Sequence, residues 1–252
     1  MSLLPPTAAR FSNRVADYVR YRPSYPAEAI DAILAGLGDP PALVAADVGA
    51  GTGISARLLA ARGVRTIAVE PNPDMSAAIG PGIELREAPA TATGLPDASV
   101  DLVTAFQAFH WFAEPATIAE FRRILRPGGR VALCWNLRDD DDPFTRVYGD
   151  IAEAVERDTD ARMAGERTFS TVGMLQGGGL RAARELHFRN EQRLGLEALL
   201  GRARSSSYVP REGPGWEAIA NGLREVHARF ADERGEIGMT YDTVVYLAEE
   251  PR

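Results

Sequence analysis

The chain contains no lysine; all 28 basic residues among its 252 are arginine. That excludes a Schiff-base lysine and a phosphate-loop lysine, because both chemistries need a primary ammonium group. A single cysteine, Cys134, excludes an intrachain disulfide and a multi-cysteine zinc site. Three histidines (His110, His187 and His227) are too few for a histidine-rich metal centre, and no bound metal is expected. No apolar run reaches the roughly 18 residues of a membrane span. Residues 1–10 hold two prolines and no apolar core of signal-peptide length. The expectation is a cytoplasmic protein without a membrane partner. The net charge of −7 argues against sequence-independent nucleic-acid binding.

What is present is ordinary globular material. Hydrophobic residues at 45 % and charged residues at 25 % exclude a disordered chain, and the length suffices for one large domain with a cap. From Leu43 to Asn136, short apolar runs alternate with helical patterns. Strands are expected at Leu43–Val48, Arg65–Val69, Glu84–Ala88, Asp101–Phe106 and Arg130–Trp135. Helices are expected at Ile54–Arg62, from Pro73, and at Pro115–Leu125, the last ended by a turn at Arg126-Pro127-Gly128-Gly129. This alternation predicts parallel β-α-β units and an α/β, Rossmann-like, doubly wound sheet. The last third changes character. Arg184–Arg193 alternates like a half-exposed strand, Leu196–Arg204 and Trp216–Phe230 read as helices, and Thr240–Ala248 as a final strand. The two late strands predict a C-terminal antiparallel hairpin, making seven strands in all, with segments 137–180 and 195–235 as a helical cap.

The strongest motif is Asp47-Val48-Gly49-Ala50-Gly51-Thr52-Gly53, between a predicted strand and a predicted helix. Glycines there permit a tight turn and let a ligand approach the backbone. The crevice beyond the strand ends is the expected ligand site of an open α/β sheet. Glu70 closes the second strand, where a carboxylate suits the two hydroxyls of a ribose. A nicotinamide-dinucleotide fingerprint would need small residues at 49, 51 and 54, and residue 54 is Ile. The spacing disfavours a diphosphate cradle and leaves open a mononucleoside with a charged amino-acid tail. It leaves an NAD(P)-dependent oxidoreductase and a donor-binding protein without activity as alternatives.

Further segments fall in order along the chain: Val69-Glu70-Pro71-Asn72-Pro73-Asp74-Met75, Leu95-Pro96-Asp97 through Val103, and Leu125-Arg126-Pro127-Gly128-Gly129-Arg130. With the glycine turn, they resemble the class I S-adenosylmethionine-dependent methyltransferases. Phe11 to Pro26, with Tyr18 and Tyr21-Arg22-Pro23, resembles the N-terminal segment of the methyltransferase type 11 and trans-aconitate methyltransferase-like subgroup. The resemblance implies a single domain over 1–252. It would comprise an N-terminal helical lid (1–40), a cofactor-binding core (41–136), and cap insertions with C-terminal strands (137–252). It implies that S-adenosyl-L-methionine is the cofactor, with Gly49, Ala50, Gly51 and Gly53 along its methionine part and Asp47 reaching its amino group directly or through water. Glu70 would hold the ribose; Pro71, Asn72, Met75, Ala90 and Thr91 would border the adenine. Tyr18 and Arg22 would close over the carboxylate.

Phe106 to Phe112 follows the fourth strand. Gln107 and Ala108 would present backbone carbonyls to the donor's ammonium, with His110 and Trp111 facing the acceptor. His110 is the candidate general base, since imidazole titrates near neutrality, and Trp111 the candidate acceptor wall. Cys134, His187 and His227 read as structural, and Asp139–Asp142 as a solvated loop, because four consecutive acids point no single way. Residues 139–160 carry two Arg against nine acids and supply the entire −7, whereas 161–211 carry nine Arg against four Glu. A basic cap, with Arg193, Arg202 and Arg204 the residues of interest, favours a small anionic acceptor such as an organic acid, methylated on a carboxyl or hydroxyl. The assembly expected is a monomer or a homodimer.

Overall fold

The computed structural model gives residues 13–154 and 170–252. A seven-stranded sheet runs through the molecule in the order β3-β2-β1-β4-β5-β7-β6. Its strands are β1 (Val44–Val48), β2 (Arg65–Val69), β3 (Glu84–Arg86), β4 (Val100–Phe106), β5 (Leu125–Arg138), β6 (Arg181–Leu194) and β7 (Ile237–Glu249). The first five are mutually parallel, and β7 is antiparallel to both β5 and β6. This is the predicted Rossmann-like sheet with its C-terminal hairpin. The chain leaves β1 toward β2 on one side and returns to β4 on the other, which opens a crevice at the carboxyl ends of β1 and β4.

Helices cover both faces. On one side, Ile118, Phe121 and Ile124 of α5 (Pro115–Ile124) and Leu175 of α7 (Thr171–Gly177) pack on Val48, Val103, Val131 and Leu133. On the other, Ile30, Ile33 and Leu34 of α2 (Ala27–Leu34) and Leu59 of α3 (Ile54–Ala60) pack on Leu102, Ala132, Cys134 and Val245. Cys134 is fully buried among these residues. The expected N-terminal lid therefore divides. α2 belongs to the core layer, because its apolar face matches the sheet, and only α1 (Val15–Tyr21) lies against the cap helix α8 (Leu196–Arg204).

Two expectations about strands need correction. The turn at 126–129 lies inside β5: Val100 faces Leu125, then Leu102 faces Arg130, so the Arg-Pro-Gly-Gly segment loops out and pairing resumes. Gly128 takes φ +78 there, and a side chain at Gly129 would lie 3.0 Å from the Asp101 carbonyl oxygen. The last strand also begins earlier than predicted, at Ile237. Residues 237–240 pair with β6 beyond the end of β5. Ile237 and Met239 on this extension pack with Phe144 and Tyr148 of α6 (Pro143–Ala154), Leu199 of α8, and Trp216, Ile219 and Leu223 of α9 (Gly213–Phe230). This third cluster is the cap. The acidic run 139–142 is its entry loop, where an Asp142 carboxylate oxygen accepts the Thr145 N–H at 2.7 Å.

Candidate active site

A cavity of about 340 Å³ opens at the crevice between β1 and β4. Gly49 and Gly51, in the turn after β1, form one wall with φ of +71 and +57. The turn is pinned by the Gly49 N–H, which donates to the Val69 carbonyl at 2.8 Å. Glu70, directly after β2, is 7 % exposed. One of its carboxylate oxygens accepts the Gly51 N–H at 2.8 Å and the other the Asn72 N–H at 2.9 Å. Burial raises the Glu70 carboxyl above the ordinary range, and these two backbone donors oppose the rise. Each oxygen keeps acceptor capacity, so the carboxylate is fixed in direction and still able to take two hydroxyls.

The far wall comes from the segment after β4. Gln107, Ala108, Trp111 and Phe112 line it, with Phe106 at the strand end. Gln107 sits at φ +50, uncommon for a residue with a side chain. Its amide nitrogen donates to the Asn136 carbonyl at 3.0 Å and its N–H to the Cys134 carbonyl at 2.8 Å, so β5 holds it in place. Pro71, Asn72, Met75, Ala90 and Thr91 complete the predicted lining, and Tyr18 reaches it from α1. Residues from five separated stretches of sequence thus converge on one space.

Other predicted residues stand elsewhere. Asp47 is fully buried behind the turn; its two oxygens accept Ser55 Oγ at 2.6 Å and Thr104 Oγ1 at 2.7 Å, and it does not line the cavity. Burial pushes its carboxyl up to about 6 against these hydroxyls. Ala50 packs behind the turn with Ala56 and Ala68. Gly53 serves the backbone: it precedes α3 at φ +79, and a Cβ there would lie 3.2 Å from the Arg57 guanidinium. Arg22 lies outside the lining, with its guanidinium 4.8 Å from the centre of the Tyr18 ring.

His110 requires a larger correction. It sits in a 3-10 turn, Phe109–Trp111, half-buried and off the cavity lining. The Trp135 indole N–H donates to its Nδ1 at 3.3 Å. Indole is only a donor, so the imidazole proton resides on Nε2 and the ring has no free lone pair. Burial first, and then the nearby Arg22 charge, lower its pKa to about 4. This setting fits a neutral hydrogen-bond donor and opposes a general base working near neutral pH. His187 is exposed and held by Asp242, and His227 is half-buried and held by the Gly235 carbonyl. Of the cap arginines singled out from sequence, Arg193 is exposed and paired with Asp232, Glu191 and Glu236. Arg204 lies over the Trp216 ring at 4.5 Å, and only Arg202 is buried among the cap's polar groups.

Sequence reasoning missed Pro89, Phe106, Phe112, Ala113 and Glu114 in the lining. Glu114 precedes Pro115 at the start of α5, and an acid before a helix-starting proline was the available signal. Among the described residues no group of three metal-ligating side chains occurs, and no helix is long and apolar enough to cross a membrane.

The geometry resembles known proteins over nearly its whole length. An uncharacterised methyltransferase-like protein of Schizosaccharomyces pombe is 31 % identical over 249 residues, covering 95 % of each chain. This chain belongs to the class I S-adenosylmethionine-dependent methyltransferases. Residues 46–133 match the family model described as a methyltransferase domain. An uncharacterised methyltransferase of Mycobacterium tuberculosis is 40 % identical over 171 residues, 64 % of this chain; the match spans 66 % of that relative's length. Among solved structures, a protein of Anaeromyxobacter dehalogenans provisionally assigned as a type II methyltransferase superposes with a TM-score of 0.67 at 26 % identity. That match covers 92 % of this chain and all of the other. Phosphoethanolamine N-methyltransferase 2 of Haemonchus contortus, solved with S-adenosylhomocysteine, shares the fold alone: TM-score 0.55 at 12 % identity, over 96 % of this methyltransferase and 58 % of that chain.

Proposed function

We propose that this methyltransferase holds S-adenosylmethionine in the β1–β4 crevice and methylates a carboxyl oxygen of a small organic acid. The observation that carries the donor half is the Glu70 carboxylate, oriented by two backbone N–H groups beside a glycine wall with no side chain to obstruct it. A ribose would give its hydroxyls to Glu70. Pro71, Asn72, Met75, Ala90 and Thr91 would enclose the adenine, and Gly49, Gly51, Gln107 and Ala108 would flank the methionine part. When bound, the donor would supply an electrophilic methyl on a sulfonium sulfur: an acceptor lone pair would bond to the methyl carbon as the C–S pair returns to sulfur, leaving S-adenosylhomocysteine as the neutral thioether.

The acceptor half rests on which titratable groups border the cavity. Among the described residues they are Tyr18, Glu70 and Glu114. Glu70 is engaged with the backbone, and His110 has its acceptor nitrogen occupied by Trp135. A carboxylate is already ionised at neutral pH and needs no base, so this lining suits it better than an alcohol or an amine. The chain's own contribution is then alignment and exclusion of water by Phe106, Trp111 and Phe112. A hydroxyl acceptor is the second reading, favoured only by Glu114 at the rim as a base.

The donor half is tested by calorimetric titration with S-adenosylhomocysteine. Glu70→Gln, which keeps one acceptor oxygen, should weaken binding by about tenfold or more, as for loss of a charge-assisted pair. Unchanged affinity would refute the assignment. The acceptor half is tested with methyl-tritiated donor and a panel of organic acids. A methyl ester releases its label as volatile methanol in mild alkali; a methyl ether, which would favour the hydroxyl reading, does not.

A further inference from the structure

α1 and α8 pack together, and their contact brings two guanidinium groups into the seam between cap and core. Arg22, directly after α1, donates from Nη2 to the Ser205 carbonyl at 2.9 Å, and its buried Nε meets no hydrogen-bond partner. Arg202, on α8, is 6 % exposed. It donates from Nε to Tyr241 Oη at 3.3 Å and from Nη1 to Ser206 Oγ at 3.2 Å, both at the long end for such bonds. Neither guanidinium meets a carboxylate among the described residues.

The other buried arginines carry three hydrogen bonds each, although Arg14, like Arg22, keeps an unpartnered buried Nε. Arg130 is paired with Glu249 and gives Nη1 to the Ile33 and Ala35 carbonyls. Arg14 spends both terminal nitrogens on the carbonyls of Arg204, Ser206 and Val209. A buried charge without a counter-charge is costly, and two of like sign side by side cost more. Burial first, and then the Arg202 charge, lower the pKa of Arg22, whereas at Arg202 burial is outweighed by Tyr241, Tyr148 and Tyr208 together, which raise it. Tyr148, Tyr208 and Tyr241 lie within electrostatic reach of Arg202, so its surroundings are rich in hydroxyls, while the acid of α8, Glu197, is bonded to Tyr21 and Arg20 instead. Tyr18 connects it to the cavity, lining the cavity while its ring lies against Arg22.

We infer that Arg22 and Arg202 form a receptor for an oxyanion of the acceptor, a carboxylate or phosphate separate from the atom that is methylated. A group gripped by two guanidiniums has its lone pairs committed and is a poor nucleophile, so it anchors the acceptor while another group reacts. The inference rests on the methyl-transfer reading only in calling the ligand an acceptor.

The test is titration of the protein, saturated with S-adenosylhomocysteine, with succinate, glutarate, inorganic phosphate and the neutral succinamide. Expected is binding of at least one anion and none of succinamide. Arg202→Met should weaken the anion at least about tenfold while changing S-adenosylhomocysteine affinity less than twofold. Should Arg202→Met fail to fold, Arg202→Lys and Tyr208→Phe serve instead. The lysine keeps the charge but loses the fork, and weakening by either variant supports the site. Arg193→Met, on the exposed edge, should change nothing. Binding of the dicarboxylates alone identifies a carboxylate site, and binding of phosphate alone a phosphate site. No anion bound by the wild-type protein, or equal binding by the Arg202 variants, overturns the inference. If anions bind through Arg202 while S-adenosylhomocysteine does not bind at all, the receptor stands and the methyl-donor reading falls.

Discussion

Replacing Gly49 by alanine places a methyl group where two others already are. The new Cβ would lie 2.7 Å from the Ala108 Cβ and 3.0 Å from Phe112 Cε1. The backbone cannot retreat, because the Gly49 N–H is bonded to the Val69 carbonyl. Two costs add. An alanine at φ +71 costs about 1–2 kcal/mol in the left-handed region, and forcing a methyl into a packed wall costs about 1–3 kcal/mol more. Gly36 separates the two, since it has φ +80 and a Cβ added there would meet nothing within 4 Å. Gly36→Ala should therefore show the backbone cost alone. At roughly 2–4 °C per kcal/mol for a chain near this size, Gly49→Ala should melt roughly 2–12 °C below Gly36→Ala. Because Ala108 and Phe112 line the cavity, Gly49→Ala should also weaken S-adenosylhomocysteine, and Gly36→Ala should not. Differential scanning calorimetry and titration of both variants decide the matter. Coincident melting temperatures with undiminished affinity for Gly49→Ala would refute the claim that packing against β4, and not backbone conformation alone, demands a glycine there.

Two further predictions concern protons. Burial raises Asp47 from 3.8 to about 6, so as pH climbs the unfolded state gives up this proton first and the native state loses stability between those values. The loss is at most roughly 3 kcal/mol and persists at higher pH. Urea unfolding of wild type and Asp47→Asn at pH 4 and 7 should show the wild type losing more, and equal slopes would contradict the buried-carboxylate reading. For His110, a pKa near 4 leaves the ring neutral throughout the working range, so kcat/KM should show no His110 limb from pH 5.5 to 8. A limb near 6.5 that vanishes in His110→Gln would restore the general-base role.

Much of the core was legible because its signals are local. The bounds of β2 and α8 match the sequence reading, and β1 and β4 match to within a residue, since apolar runs and helix-starting residues report directly on backbone state. The errors fall where distant contacts decide. Leu125 and Arg130 read as the two sides of a turn, yet both pair with β4, and only the sheet makes one bulged strand of them. Ile237 and Met239 carry too little alternation to extend a strand, but the cap helices bury them and β6 pairs with them. The family resemblance places residues 27–34 in an N-terminal lid, and the place of α2 under the sheet depends on Leu102, Cys134 and Val245, far along the chain.

The sequence by itself determined the glycine turn, the acidic end of β2 and the order of the elements between them. These follow from properties each residue carries alone: freedom at positive φ, charge at a strand end, and hydrophobic period. Tertiary structure decided which polar side chains face the cavity and which are consumed behind it. Asp47 sits in the same motif as Gly49 and Gly51, but Thr104, 57 residues away, donates to one of its oxygens and holds the side chain behind the turn, off the cavity lining. His110 loses its role as a base to Trp135, 25 residues on. Arg22 and Arg202, 180 positions apart, come within electrostatic reach because α1 packs on α8. Hydrogen-bond partners and burial are pairwise properties of folded space, and no single stretch of sequence contains them.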